Sequence, residues 1–389
     1  MEKPYHFLTG GTGLVGAYIL HNLLQAGHRV AVLARPSKKE SPKRRIDKIL
    51  SHWERETNEE LPRPLVIEGD LQEDSWQEKH ARWFENNCGS VIHCAASLAF
   101  YGSHGEEPWR SNIDGTKKIL SICQDYGVRR MHYVSTAYVA GSSRLFSESD
   151  LDVGQTLRND YEQSKFEAEK LVREADFLDR PTIYRPSIVV GDSRTAYTTT
   201  YHGFYAVLKL AHTLVRRMPL GSTSGRNLLT ALGMDGSEHK NFVPVDWVAE
   251  VFDHIFSDPQ FHGQTYHLTS PQPPLLGDFV DVVQDAVETY SPLAAESDPR
   301  KASEDWFFRN YTDHVQIYKA YLQDDPIFDS TNTQTAAPHL PCPVMDAELM
   351  MFLARYALLS KFGKKKVAAS GHERTVKTPH TAELELVGQ

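Results

Sequence analysis

A chain of 389 residues, 40% apolar and 24% charged, can bury a large core as one large domain or two closely joined ones. Its net charge of −9 argues against a general nucleic-acid binder, which carries a basic excess. No apolar stretch approaches the ~20 residues of a membrane span. Cys88, Cys94, Cys123 and Cys342 are spaced for neither zinc nor a disulfide framework, and no signal peptide precedes the first strand; together these predict a soluble protein of the reducing cytoplasm.

The first predicted strand, Tyr5 to Thr9, breaks into Gly10-Gly11-Thr12-Gly13-Leu14-Val15-Gly16 and an apolar helical pattern follows. Strand, tight turn and helix in that order suit a pyrophosphate. Gly10 can take backbone angles closed to other residues, Gly13 lets the main chain approach phosphates, and Gly16 lets the helix pack close. The helix N-terminus offers unpaired N–H groups and a partial positive charge to the anion. The second strand, Arg29 to Leu33, follows a helix stop at Gly27 and ends at Ala34-Arg35-Pro36. The residue just past this strand faces the adenosine ribose, where an acid suits the 2′-hydroxyl of NAD and an arginine the 2′-phosphate of NADP. Arg35, with Lys38 and Lys39 close behind, predicts NADP; a solvated basic loop is the plainer alternative.

Residues 43–57 read as a charged helix, and Pro64 to Glu68 as the third strand. Asp70, with Leu71 beside it, stands where a carboxylate accepts from the adenine amino group or caps the next turn. The fourth strand, Ser90 to Cys94, runs on into Ala95-Ala96-Ser97, small residues that leave room for a cofactor at the carboxyl end of a parallel sheet. Within it His93 reads as a hydrogen-bonded core histidine and Cys94 as a small core residue. A helix over about 105–126 carries Asn112. The fifth strand, Met131 to Ser135, leads to Thr136, and Tyr161 opens a helix running to about 175. The sixth, Thr182 to Arg185, leads to Pro186 and on to Gly191. This alternation predicts a doubly wound α/β parallel sheet of Rossmann type with right-handed crossovers.

After Gly191 the rhythm breaks. Residues 203–218 read as an amphipathic helix and 219–239 as a Gly- and Ser-rich loop, together a lid over the substrate. Arg216-Arg217 reads either as a solvated helix end or as a contact for CoA phosphates, a carrier protein or a membrane surface. A strand at 242–245, a helix from 246 and a strand at 266–268 return to the sheet; the remainder to 362 reads as mostly helical, and 363–389 as a disordered tail. The expected division is a dinucleotide-binding domain at 1–192 completed by 241–268, and a smaller, mostly helical substrate-binding region at 193–240 and 269–362.

Tyr161 and Lys165 lie one turn apart on a single helical face. A tyrosine with its ordinary pKa near ~10 is a poor acid–base group at neutral pH, and a neighbouring ammonium lowers that value. Lys165 supplies the ammonium and can donate to the nicotinamide ribose, while Thr136 can hold a substrate oxygen towards Tyr161. Hydride transfer between nicotinamide and a carbonyl carbon, with Tyr161 handling the proton, is the chemistry these residues predict.

Over residues 4–270 the chain resembles the extended short-chain dehydrogenase/reductase family. The likeness is carried by Thr9 to Gly16, Asp70, Ala95-Ala96, Asn112, Ser135-Thr136 and Tyr161-x-x-x-Lys165. The resemblance implies that Asn112 positions a water near Lys165 and that Tyr184-Arg185-Pro186 flanks the nicotinamide. Nearer still, the chain is similar to acyl-thioester reductases: terminal reductase domains of carboxylic acid reductases and peptide synthetases, and fatty acyl-CoA reductases. The cues are Tyr133 to Val139, Asn241 to Ala249 and Phe328 to Asn332. That likeness implies NADPH-dependent reduction of a CoA- or carrier-bound thioester to an aldehyde, or onward to an alcohol. The carrier is expected in trans. A hydroxysteroid or hydroxy-ketone dehydrogenase, a nucleotide-sugar epimerase and a non-catalytic NADPH sensor are the alternatives; a sugar dehydratase would need an Asp-Glu pair where Ala137-Tyr138 stand.

Overall fold

The computed structural model describes residues 4–37, 40–73, 75–215, 224–291 and 322–365. Its strands are β1 (Tyr5–Thr9), β2 (Arg29–Ala34), β3 (Leu65–Glu68), β4 (Cys88–His93), β5 (Arg130–Val134), β6 (Leu145–Phe146), β7 (Thr182–Pro186), β8 (Ile188–Val190), β9 (Phe242–Pro244), β10 (Thr265–Leu268) and β11 (Ile327–Phe328). Seven of them form one parallel sheet in the order β10-β7-β5-β4-β1-β2-β3. The strands are nearly continuous apolar runs because helices cover both faces. The strand order reverses between β1 and β4, so the loops that leave their carboxyl ends part and open a crevice. Here Thr9 pairs with His93.

The helices follow from periodic apolar positions and local caps. α1 (Leu14–Gln25) turns Ile19, Leu20, Leu23 and Leu24 into the core. With α9 (Val245–Ser257) it covers one face of the sheet, over Leu8, Val30, Val32 and Ile92. α5 (Gly115–Asp125) and α6 (Asp160–Glu174) cover the other, over Phe7, Val91, Met131 and Ile183. A third apolar cluster joins α7 (Phe204–Val215), α8 (Ser224–Ala231), α10 (Leu276–Tyr290) and the helix Ala347–Leu359. No helix among the described residues is long and apolar enough to cross a membrane.

Three sequence expectations are corrected. The helix expected from 105 starts at Arg110 with a single wide turn, Arg110–Asp114, before α5; Gly105, in the left-handed region at φ +91°, and Pro108 keep the preceding segment a loop. The expected loop at 219–239 contains α8. The run after β7 forms a separate strand, β8, paired with β9 outside the main sheet. Lys38, Lys39, Arg216 and Arg217, and all of the expected tail beyond residue 365, lie outside the described residues.

Candidate active site

The crevice holds a cavity of about 430 Å³, lined mostly by apolar surface. One end is the glycine turn, with Gly10, Gly13, Leu14, Val15 and Gly16 in its wall. Gly10 takes φ +76°, and a Cβ there would come within 2.6 Å of the backbone of Cys94 and Ala95. A Cβ on Gly16 would overlap the Gly10 carbonyl. Gly13, by contrast, caps α1 in ordinary extended geometry; its Cβ would meet only the Gly10 carbonyl oxygen, at 3.3 Å. α1 therefore begins against the crevice with no side-chain cap on its N–H groups and no acidic residue in its first turn. That is a fit for the pyrophosphate of a dinucleotide: a tight turn, an open backbone and free donors.

Thr136, Tyr161 and Lys165 line the same cavity, with Pro186 beside them. Thr136 follows β5 and caps a short turn, Ala137–Ala140. Its hydroxyl accepts from the Tyr138 N–H at 3.3 Å, donates towards the Pro186 carbonyl at 3.4 Å, and hydrogen-bonds the Tyr161 hydroxyl. Burial pushes the Tyr161 phenol up to about 12, and the Thr136 hydrogen bond only partly opposes this. The expected lowering by Lys165 is not what this arrangement produces. The Lys165 ammonium instead donates to the Tyr133 hydroxyl at 2.8 Å and the Val134 carbonyl at 2.9 Å. Burial brings Lys165 down to about 8, with Cys94 and Glu169 pulling the other way.

Behind these residues lies a buried polar layer. Glu169, two turns beyond Tyr161, accepts from Ser135 Oγ at 2.6 Å and pairs with Arg185 at 2.7 Å, both charges fully buried. Burial raises the Glu169 carboxyl, but Arg185, Arg173 and the Ser135 hydrogen bond together hold the group below its ordinary value. Asn112 serves as a strut: its side chain bonds the Ser97 N–H at 2.8 Å, the Ser97 carbonyl at 3.1 Å and Ser164 Oγ at 2.9 Å. This ties the loop after β4 to α6. Ala95 joins that loop to β1 by donating its N–H to Thr9 Oγ1 at 3.3 Å. His93 is the hydrogen-bonded core histidine expected, with its pKa lowered to about 3 by burial. Cys94, just past β4, packs against the core as expected and also lines the cavity, its thiol pushed up to about 12 by burial. Of Tyr184-Arg185-Pro186 only Pro186 reaches the cavity; Tyr184 turns into the core to bond His132, and Arg185 to meet Glu169.

Thr12, Arg35, Asp70 and Leu71 lie outside the cavity wall, on the loops after β1, β2 and β3. Exposed Arg35 pairs with Asp70 at 3.7 Å. Asp70 also caps its own turn through the Gln72 N–H at 3.1 Å, and Leu71 packs at the edge of the core. A residue not singled out from sequence joins them. Arg45, in the first turn of α2 (Pro42–Thr57), donates to the Arg35 carbonyl at 2.8 Å and to Thr12 Oγ1 at 3.3 Å. It was hidden in the run Lys43-Arg44-Arg45, where nothing but the fold distinguishes one basic residue from the next.

The far end of the cavity is made by Leu98, Phe100, Tyr138, Arg158, Glu162, Thr200, His202, Gly203 and Ala206. The start of α7 is thus part of the cavity wall, while residues 216–223 of the expected lid lie outside the described residues. Arg158 and Glu162 were not foreseen. Asn159 caps α6 by accepting from the Glu162 N–H at 2.9 Å, and Glu162 accepts from the Arg158 N–H at 2.8 Å. The Asn159 cap could have been read from the spacing of Asn159 and Glu162, three residues apart, although the Glu162 carboxylate reaches one residue further back, to Arg158.

A glycine turn at the switch point of a doubly wound sheet, facing a Tyr-x-x-x-Lys helix across one cavity, is the architecture of the extended short-chain dehydrogenases/reductases. Within that class the chain belongs to the NAD-binding Male sterility protein family, whose pattern residues 8–252 match. It is 26% identical to the aldehyde reductase lnbA of Aspergillus flavus, over 73% of this chain and 28% of that protein. The chain spans about a quarter of the length of the first curated relatives it matches. Among solved structures, the terminal R domain from the myxalamid PKS-NRPS pathway superposes with a TM-score of 0.71 at 25% identity, covering 94% of this chain and 93% of that one. A thiolation-reductase di-domain from an archaeal non-ribosomal peptide synthetase gives 0.69 at 19%, covering 94% and 77%. UDP-glucose 4-epimerase from Bifidobacterium longum gives 0.62 at 17%, covering 92% and 99%, and shares the fold.

Proposed function

We propose that this protein is an NADPH-dependent reductase of acyl thioesters, taking an acyl group from CoA or from a carrier protein in trans to the aldehyde, or onward to the alcohol. The observation that carries the reading is the single, mainly apolar cavity running from the glycine turn past Thr136 and Tyr161 to the start of α7. It has room for a dinucleotide's reactive end and an acyl chain together. The likeness to reductase domains of thioester-processing synthetases supports it.

When bound, the nicotinamide supplies hydride to the carbonyl carbon. The chain's own residues do the rest. The glycine turn and the α1 N-terminus hold the pyrophosphate, with Leu14, Val15 and Ala95 walling its path. Arg35, Arg45 and Thr12 hold the 2′-phosphate, Asp70 and Leu71 the adenine, and Asn112 fixes the β4 loop. Thr136 and Tyr161 converge on the substrate oxygen. A phenol held up to about 12 is protonated at neutral pH, so Tyr161 is poised to donate. Protonation of the oxygen as hydride arrives at carbon yields the thiohemiacetal, which collapses to aldehyde and free thiol. The expected domain division belongs to the same reading: residues 1–192 with 241–268 bind the dinucleotide, and 193–240 with 269–362 bind the substrate.

The test is NADPH oxidation with acyl-CoAs of increasing chain length, matching aldehydes, and hydroxy-ketone or steroid substrates. Turnover of acyl-CoA that Tyr161→Phe abolishes is the expected result. Turnover of ketones alone would sink the thioester reading and favour a hydroxy-ketone dehydrogenase.

A further inference from the structure

We propose that Tyr133 is the positioning residue of Lys165: its phenolic oxygen, held by Thr116, fixes the lysine nitrogen at the cofactor end of the cavity. The inference rests on the reading of Lys165 as a group that meets the bound dinucleotide.

The geometry begins at Lys165 Nζ, 2.8 Å from Tyr133 Oη and 4.4 Å from the centre of the same ring. One tyrosine therefore offers the ammonium both a lone pair and a π face. From Tyr133 a chain of hydrogen bonds runs inward through Thr116, His93 and Thr9. Every member is at most 1% exposed.

The direction of each bond can be worked out. Thr116 Oγ1 donates to the Asn112 carbonyl at 2.6 Å, so its lone pairs are left to accept. They accept the Tyr133 hydroxyl proton and the His93 Nε2 proton, the latter at 3.2 Å. His93 is then neutral with Nδ1 as acceptor, which takes the Thr9 hydroxyl proton at 2.7 Å. Thr9 Oγ1 in turn accepts the Ala95 N–H at 3.3 Å. With its one proton committed to Thr116, the Tyr133 oxygen can only accept from Lys165. The chain is thus polarised to receive a donor, and favours the ammonium over the neutral amine. An ammonium has three protons. Tyr133 and the Val134 carbonyl take two, and the third is left for the cavity.

The Asn112 side chain is committed to Ser97 and Ser164, and its carbonyl accepts from Thr116.

The other titratable groups facing Lys165 are Cys94 beyond β4, His93 on β4, and Tyr161 and Glu169 on α6. Cys94 and Tyr161 stay uncharged near neutrality, each held up to about 12 by burial, and His93 stays neutral. Glu169 is charged but paired with Arg185. Between pH 7 and 9 the lysine itself is the group expected to titrate.

The test is NADPH affinity by fluorescence titration without acyl substrate, from pH 6.5 to 9.5, for wild type, Tyr133→Phe and Thr116→Val. NADH replaces NADPH if it binds tighter. Tyr133→Phe keeps the ring and removes the acceptor. The expected result is roughly tenfold weaker binding at pH 7.5, with the alkaline loss of affinity moved down by about one pH unit. Thr116→Val should move it the same way by less. A Tyr133→Phe profile that overlays wild type overturns the inference, whatever the variant does to thermal stability. Should Tyr133→Phe not fold, Thr116→Val decides alone: a downward shift supports the role and an unchanged profile overturns it. Because no acyl substrate is used, a chain that binds dinucleotide but reduces no thioester would lose the proposed substrate and still test Tyr133.

Discussion

Single side chains decide the chemistry here through their surroundings. Tyr161 is protonated because it is buried, which the Thr136 hydrogen bond opposes only in part, so Tyr161→Phe should cut turnover by roughly 100- to 10,000-fold, the usual contribution of a general acid. A smaller loss, with NADPH affinity intact, would move the proton donor elsewhere. At the other end of the dinucleotide site two guanidiniums serve one expected anion. Arg45 is anchored to the Arg35 carbonyl and Thr12, whereas the Arg35 side chain is exposed and pairs with Asp70. Arg45→Ala should therefore weaken NADPH binding by roughly ten- to a hundredfold, the scale of a charge-assisted hydrogen bond, and leave NADH binding unchanged. Equal losses for both cofactors, read by the same titration, would take Arg45 away from the 2′-phosphate.

Elements are held in register by contacts that no side-chain pattern displays. The start of α1 depends on two glycines for different reasons. Gly16 has no space for a methyl group beside the Gly10 carbonyl, whereas a methyl group on Gly13, which faces the cavity, would need that carbonyl oxygen to give by only a few tenths of an ångström. Gly16→Ala should lower the melting temperature by several degrees. Gly13→Ala should leave it near wild type while weakening dinucleotide binding, and the reverse pattern would contradict the assignment. α6 is fastened to β7 by the Glu169–Arg185 pair, with no solvent access to either charge. Removing one partner strands the other, so Glu169→Ala should cost about 3–5 kcal/mol in urea unfolding. A loss under about 1 kcal/mol would mean that the Asp150 carbonyl, which already accepts from Arg185, and water suffice for the guanidinium.

At the scale of the whole molecule the buried histidines set the response to acid. Burial lowers His93 to about 3, and His52 and His267 to about 4, and holds His132 well below its ordinary value. In the unfolded chain each titrates near ~6.5. Below that value the unfolded state binds protons that the folded state refuses, so stability falls as pH drops from about 6.5 towards 3–4. Asp246, raised to about 6 by burial, works in the opposite sense over a narrower window, because its folded carboxyl binds a proton first, and Glu148, Glu162 and Asp253, also raised by burial, act with it. The histidines, joined by His21, His80 and His202, whose values burial also lowers, outnumber these carboxyls. The urea midpoint at pH 5 should lie below that at pH 7.5, and an equal or higher midpoint would contradict this account.

Much of the site was legible because it is built from short-range signals. Glycines after a strand mark a turn wherever they occur, and Tyr161 and Lys165 share a helical face by spacing alone. The parallel sheet followed from alternating runs, each a few residues long. The periodic helix pattern failed where a loop broke it, before Arg110, and where a polar stretch proved helical, at α8. Other features join residues far apart in the chain, and only the tertiary structure decided them. Tyr133 meets Lys165 because β5 and α6 pack together, Arg45 meets Thr12 because α2 folds back on the first turn, and Arg185 meets Glu169 inside the core. By itself the sequence determined which residues could do the chemistry, since spacing and residue type are local. The fold decided which partners those residues have, and hence their protonation, because burial and charge act across space regardless of position in the chain.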